Sequence, residues 1–388
     1  MRFATFKYVL ASLLLAVVFI SPANSQHYGY TTAVSIDQDV AGNFNGGKET
    51  GWAHAGLINL CFTMNTGELG MWNNGTFRVH LQNTYGQQPS ENLVGDLQVF
   101  NNIESQPHTY LFQLWYKHKM NDLTVIVGKH DLNAVFFVSE RAGLYINSSF
   151  GIMPLASLNV PVSIFPNTTL GLVGIYEGKE GMAFRAGVYN GRPGEITRSN
   201  FGTDLNLEKG NGLFYVGEIH LEDLFPQAAG TYKLGAFHHS GQVKPMYGTS
   251  SAGNGDSGVY FIADQNLLSD MDNSEPGMGA LLQLGYAPGR SNLNDFYLAG
   301  GLNYTGLFSN NRPGRLGLAV ARASFNRALP TIGSGIYEDC ETVVELTYRY
   351  RLPGNLVIQP DLQYIIHPGM KNTLDNAFTG LFRVSWRY

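Results

Sequence analysis

Beyond its first 25 residues, this 388-residue chain contains no uncharged apolar run approaching the ~20 residues that a membrane-spanning helix requires. The chain past Ser25 is therefore either a secreted soluble protein or one that crosses a membrane by closed strands. Charge is also scarce. Charged residues make up 14% of the chain, against about 25% in ordinary soluble domains. The polar positions fall instead to Asn, Gln, Ser, Thr and Gly, which suit strands and turns more than helices. With 30 acidic residues against 25 basic ones there is no positive excess, which argues against a nucleic-acid partner.

Cysteine is nearly absent. Cys61 and Cys340 are too few for a disulfide scaffold or a zinc site. Cys61, inside "LINLCFTM", reads as a small buried side chain; a long-range bridge between the two stays open, because its geometry is not legible in sequence. Catalytic motifs are missing too: there is no G-x-S-x-G elbow, no P-loop and no H-E-x-x-H. His238 and His239 are adjacent and lack further ligands, so they read as solvated loop residues. No catalytic residue, metal site or cofactor is expected.

At the N-terminus Arg2 and Lys7 precede the apolar run Tyr8 to Ile20 and then "SPANS", with small residues at Ala23 and Ser25. This pattern predicts a signal peptide over 1–25, cleaved before Gln26. A retained anchor is the weaker alternative, since the run is short. Residues 26–388 read as one domain, within which 26–50 is either a periplasmic lead-in or a first strand.

The main signal is alternation. In "TYLFQLWYKHK", Tyr110, Phe112, Leu114 and Tyr116 share one parity and oppose a mixed face holding Gln113 and Trp115. In "VVELTYRY", Val344, Leu346, Tyr348 and Tyr350 oppose Glu345 and Arg349. "LVIQPDLQYI" sets Leu356, Ile358, Leu362 and Tyr364 against Gln359, Asp361 and Gln363, with Pro360 a place to expect a bulge. "AFRAGVYNGRPG" repeats the pattern and ends in a turn signal. The few charges mostly lie opposite the aromatics, as they would if the polar face lined a wet interior. Aromatics gather at strand ends, as in Tyr348 with Tyr350 and Trp386 with Tyr388, where lipid headgroups would meet them. The tract His238 to Gly258 and "LLSDMDNSEPG" read as exposed loops.

The closing "FTGLFRVSWRY" carries Phe378, Phe382, Val384, Trp386 and Tyr388 on one parity, with Arg383, Ser385 and Arg387 on the other. That is a last strand with a lipid face and a wet face, which must pair with the first strand to hide its edge. The wet parity supplies amides, charges and an aromatic face suited to sugar hydroxyls and sugar rings: Gln113, Trp115, Glu345, Arg349, Gln359, Asp361, Gln363 and Arg383. The crowded exit "GKHDLNAVFFVSE" lacks a nucleophile and reads as an ion pair or polar lining.

Several separated motifs carry a family resemblance: "GNFNGG" (Gly42 to Gly47), "GDLQVFNNIE" (Gly95 to Glu104), "FQLWYKHKM" (Phe112 to Met120) and "VGKHDLNAVF" (Val127 to Phe136). "INSSFG", "GVYFIADQ", "GLNYTGLFSNNRPGRLGLAVA" and "IQPDLQYIIHPG" come after them in order. From about Gly46 to Tyr388 the chain resembles the carbohydrate-selective porins, the OprB family of Gram-negative outer membranes. The resemblance implies an all-β transmembrane antiparallel barrel of about 16 strands, with short periplasmic turns and longer extracellular loops. It implies passive diffusion of mono- and oligosaccharides, and points to Lys129 and Asp131 at the strand exit and to Gln359, Asp361 and Gln363 in the late motif. Arg315 stands where relatives are expected to carry an acidic residue. Implied partners are permeating sugars, outer-membrane lipid and the barrel-assembly machinery, which reads a terminal aromatic; homo-oligomerisation stays open. The competing readings are a secreted β-rich carbohydrate-binding protein or glycosidase, and, further behind, a barrel enzyme acting on lipid.

Overall fold

The computed structural model describes residues 29–388 apart from 198–199, 206, 209, 225–228, 244–252, 269–276, 289–291, 308–313 and 327–336. The expected signal peptide lies outside the described residues. Sixteen strands run in chain order: β1 Tyr30–Gly47, β2 Gly51–Asn65, β3 Gly75–Gly86, β4 His108–Met120, β5 Leu123–His130, β6 Thr169–Glu177, β7 Met182–Asn190 and β8 Leu213–Glu222. β9 Gly230–Val243, β10 Gly253–Leu268, β11 Gly277–Tyr286, β12 Asn294–Leu307, β13 Gly314–Phe325, β14 Cys340–Arg351, β15 Leu356–Ile366 and β16 Asp375–Arg387 complete the set. The described helical segments are single turns, the α-helical one being α1, Pro154–Ser157.

Each strand pairs antiparallel with its chain neighbours, and β16 pairs with β1, so the sheet closes. The seam runs from Ser35 opposite Arg387 up to Gly47 opposite Asp375. It is sealed at the end by Tyr388 N–H donating to the Val34 carbonyl (2.8 Å) and Val34 N–H donating to that of Tyr388 (2.9 Å). Closure gives every strand two partners, which hydrocarbon demands because it offers none.

The period-2 pattern now has two physical sides. Leu114, Val127, Leu172, Phe184, Leu234, Leu318, Leu346, Leu362 and Phe382 stand exposed on the outer face. Asp39, Glu218, Asp264, Asn303, Glu345, Gln363 and Arg383 are buried on the inner one. Aromatic pairs mark both rims. Trp386 stacks on Tyr388 (5.5 Å) and Tyr348 on Tyr350 (6.3 Å) at the rim holding the chain termini, while Phe44 meets Trp52 (5.4 Å) and Phe378 (5.7 Å) at the other. Rings with one apolar and one polar edge are stable at that depth of a bilayer.

The two rims differ. On the terminal rim the links 121–122, 178–181 and 352–355 are tight turns; on the opposite, loop rim the links 87–107 and 131–168 are long. Both long segments fold into the barrel. Leu132, Phe136, Leu144, Phe150, Met153 and Leu155 are fully buried against the inner wall, and Phe100 and Ile146 form a second cluster with Val343 and Ile365. The wall makes room with small residues, since a Cβ at Gly285 would lie 1.8 Å from Leu155 and one at Gly317 2.8 Å from Leu144.

Several expectations change. A bulge in β4 opposes His80 to Gln113 but Leu81 to Leu111, leaving Phe112 as the extra residue. Tyr110 thereby turns inward with Gln113 and away from the parity of Leu114 and Tyr116, because one inserted residue inverts the faces. At Pro360 the register with β16 runs unbroken, and the missing N–H costs no bulge. The tract His238–Gly258 is strand at both ends, with 244–252 outside the described residues; His238 points outward and His239 inward. The interior of "LLSDMDNSEPG" likewise falls outside them. Most of 26–50 belongs to the first strand. Cys61 and Cys340 are both free thiols, so no bridge joins them.

Candidate permeation pathway

The inner wall of β8 to β15 grips the 131–168 segment by its backbone. Glu218 accepts from Phe137 N–H (2.7 Å), Asp264 from Ser139 Oγ (2.5 Å) and Glu140 N–H (2.9 Å), and Lys233 donates to the Val138 carbonyl (2.5 Å). Tyr145 donates its hydroxyl to Asn303 (2.7 Å), and Asn303 donates to the Arg141 carbonyl (2.8 Å). Glu345 accepts from Ile146 N–H (2.6 Å) and Asn147 N–H (3.0 Å). A non-repetitive segment has no ladder of its own, and inside a barrel it must borrow partners from the wall. The 87–107 segment is held in the same way, with Glu341 accepting from the N–H groups of Leu97, Gln98 and Gly369 at 2.6–3.1 Å.

Most residues picked from sequence on β14 to β16 meet on this wall. Gln359 donates to the Leu144 carbonyl (2.7 Å) and accepts from Arg349 Nε (2.8 Å), while Arg349 also donates to the Gly143 carbonyl (3.2 Å). Gln363 donates to the Phe100 carbonyl and to Asp361, both at 2.9 Å, and accepts from Asn147. Arg383 forks onto Asp39 (2.7 and 2.8 Å) and reaches Asn101 and Asn102. Glu345, Gln359, Asp361, Gln363 and Arg383 are all buried. Glu345, Gln359, Gln363 and Arg383 reach the inserted segments, whereas Asp361 bonds within the wall, accepting from Gln363; half-buried Arg349 also faces the lumen.

Gln113 and Trp115 lie on the opposite arc, where Trp115 donates to Gln113 (2.9 Å) and Gln113 touches His80. Lys129 and Asp131 stand apart from both groups. Lys129 is in register with Leu114 and Leu170 on the outward row, and its ammonium donates to the Thr168 carbonyl (2.5 Å). Asp131 caps the turn Leu132–Ala134 through Asn133 N–H (2.9 Å), and burial pushes its carboxyl up to about 7. Sequence reasoning missed Asp39, Glu218, Asp264, Asn303 and Glu341, together with the inserted segments they hold. The signal that could have found them was the run of small inward residues Gly317, Ala319, Ala321 and Ala323, which leaves space for something else to pack.

Open space remains on the terminal side of the inserted segments. One bay of about 450 Å³ is lined by Ser35, Asn59, Cys61, Arg351, Asn355 and Arg387. A second, of about 180 Å³, lies among Glu140, Glu222, Asp223, Thr231, Asp264 and Arg315. Among the described residues no cluster of His, Cys, Asp and Glu suits a metal ion.

A closed sixteen-stranded barrel with an apolar outside, a polar inside and inward-folded segments narrowing the lumen defines the porin class of membrane protein. The chain belongs to the carbohydrate-selective porin, OprB family, whose model matches residues 49–388. Porin B of Pseudomonas aeruginosa is 24% identical over 219 residues, a stretch covering 46% of this chain and about half (48%) of that relative. The fold is shared with Pseudomonas putida OprB in its high-pH structure, at TM-score 0.80 and 18% identity over 93% of this chain and 94% of that one. It is shared more distantly with the outer membrane channel DcaP of Acinetobacter baumannii, at TM-score 0.57 and 8% identity over 95% and 100%.

Proposed function

We propose that the protein is an outer-membrane porin through which mono- and oligosaccharides diffuse passively, with the terminal rim in the periplasm and residues 1–25 removed as a signal peptide. The observation that carries this reading is the lumen: polar groups on the inner face of the strands, obstructed by segments pinned to the wall, with open bays beside them. Weak contacts at several polar sites let a solute enter and leave, which conduction requires. In this reading Trp115 offers a face for a sugar ring, and Gln113 and Arg349 offer hydrogen bonds to its hydroxyls. Glu345, Gln359 and Gln363 shape the narrow zone by fixing its backbone, Arg383 by bonding the side chains of Asn101 and Asn102 and Asp361 by orienting Gln363, and Asp131 holds the entry turn. Lipid against the outer face and the barrel-assembly machinery are the partners this role requires.

Purified protein in liposomes is expected to admit glucose-sized sugars faster than empty liposomes. Equal rates would refute the reading. Recovery of the protein in soluble extracts without detergent would favour the secreted alternative instead.

A further inference from the structure

The outward rows of the barrel hold very little charge. Across the sixteen strands, the described outward residues include two side chains of the Lys, Arg, Asp and Glu kinds, Lys129 on β5 and Arg322 on β13. Lys129 is buried and spends its ammonium on the Thr168 carbonyl. Arg322 is exposed, and among the described residues its guanidinium has no hydrogen-bond or ion-pair partner. Its direction follows from the register. Ala319, Ala321 and Ala323 are buried on the inner face, so Arg322 takes the outer one, opposite Leu298 on β12 and Thr342 on β14.

The height of Arg322 is set by the strand ends. β13 ends at Phe325, three residues past Arg322, just as β1 ends three residues past Phe44 and β16 begins three before Phe378. Arg322 therefore stands level with the aromatic rim on the loop side, where hydrocarbon gives way to headgroups. Two hydroxyls flank it. Thr342 has Cys340 Sγ, 4.0 Å away, as the one polar neighbour of its hydroxyl, and Ser324, two residues along the same face, makes no side-chain hydrogen bond among the described residues. No carboxylate stands on the outward rows of β12 to β16 to neutralise the guanidinium. Below the cluster Leu298, Val320, Leu318 and Leu346 are exposed. A slot opens among them, since a Cβ at Gly300, opposite Val320, would meet nothing nearer than the Leu281 carbonyl at 3.8 Å.

Three donors without protein acceptors, set directly above an apolar bed, are complementary to an amphiphile with an anionic head. We infer, building on the outer-membrane reading, that the outer face of β12, β13 and β14 is a seat for a phosphate-bearing lipid of the leaflet that meets the loop rim. The Arg322 guanidinium forks onto the phosphate oxygens, the hydroxyls of Thr342 and Ser324 donate to the same group, and an acyl chain lies along Leu298, Val320 and Leu318. A planar guanidinium matches paired phosphate oxygens better than an ammonium does. In water, opposite unit charges about 4 Å apart raise each other's local occupancy about fivefold, the size expected of one basic residue beside anionic headgroups.

The test is native mass spectrometry of the detergent-purified protein titrated with dimyristoyl phosphatidate, diphosphoryl lipid A or dimyristoylglycerol. Both phosphate-bearing lipids are expected to stay bound, with dimyristoylglycerol, which has the chains of the phosphatidate and no phosphate, retained about fivefold less. Equal retention of the two assigns the seat to the phosphate, whereas retention of lipid A alone assigns it to a phosphorylated sugar head. Arg322→Gln, which breaks no hydrogen bond or ion pair among the described residues, is expected to lose the fivefold advantage. Arg322→Lys, with the charge but not the fork, keeps part of it, and Lys179→Gln, in an exposed turn on the opposite rim, keeps all of it. The heat-sensitive compact band on detergent gels checks that each variant is folded. Dimyristoylglycerol retained as well as phosphatidate, or phosphatidate held equally by Arg322→Gln, overturns the inference. Lipid retention and sugar uptake are separate measurements, so a failure of this seat leaves the porin reading standing.

Discussion

Glu345 shows what a single residue does in this barrel and how much of it could be read in advance. Alternation in "VVELTYRY" is enough to turn it inward, but its partners, Ile146 and Asn147, lie 199 and 198 residues away. No local pattern encodes a contact at that separation. Glu345→Ala leaves two buried N–H groups without an acceptor, at a cost of about 1–3 kcal/mol each. The expected result is faster amide exchange and protease cleavage at 145–150 with the barrel intact, while Glu345→Gln, which keeps one carbonyl oxygen, is milder. Unchanged exchange at 145–150 in the alanine variant would show that the apolar packing of Leu144, Ile146 and Phe150 holds the segment without it. Lys129 teaches the opposite lesson. The resemblance marked it for the pore, yet its place in the strand register puts it in line with outward Leu114.

Among the elements, the inserted 87–107 segment is the clearest candidate for pH control. Glu104 accepts from Ser90 N–H (2.9 Å), and burial, reinforced by Asp96 and Glu91, pushes its carboxyl up to about 8. Burial raises Asp96 to about 6, with Lys48 the nearby opposing charge. Glu341 faces Asp96 from β14. Because Glu104 and Asp96 hold protons more tightly when docked than when released, docking is fully supported below the ordinary carboxyl range of about 4. The support is lost as pH rises through about 6 and then about 8. Protection of the 90–105 amides, taken relative to their intrinsic exchange rates at each pH, should therefore fall between pH 5 and pH 9, and Glu104→Gln should flatten that fall. Protection that does not change with pH in the native protein would contradict the assignment. Strand β4 marks where sequence reading fails at this scale: the extra Phe112 inverts one end of the strand, and bulges arise from pairing with a neighbour that a single strand's pattern does not contain.

For the whole molecule, the seam decides whether there is a barrel at all. Removing 378–388 takes away most of the residues of β16 that pair with β1, exposing two strand edges that hydrocarbon cannot satisfy. The truncated chain is expected to lose the heat-sensitive, compact band that a closed barrel gives on detergent gels, and to accumulate as aggregate. A folded, conducting truncation would mean that β15 closes directly on β1. The sequence by itself determined the strand period, the two faces, the aromatic rims and the closing strand, because a side chain's face and its solvent are set by local geometry and by burial, both written residue by residue. Only the tertiary structure decided that two long links fold inward, that Glu345, Gln359 and Gln363 hold them, and that Arg351 and Arg387 share an open bay. Those outcomes depend on which distant backbone reaches each inward side chain first, and that competition is settled in three dimensions.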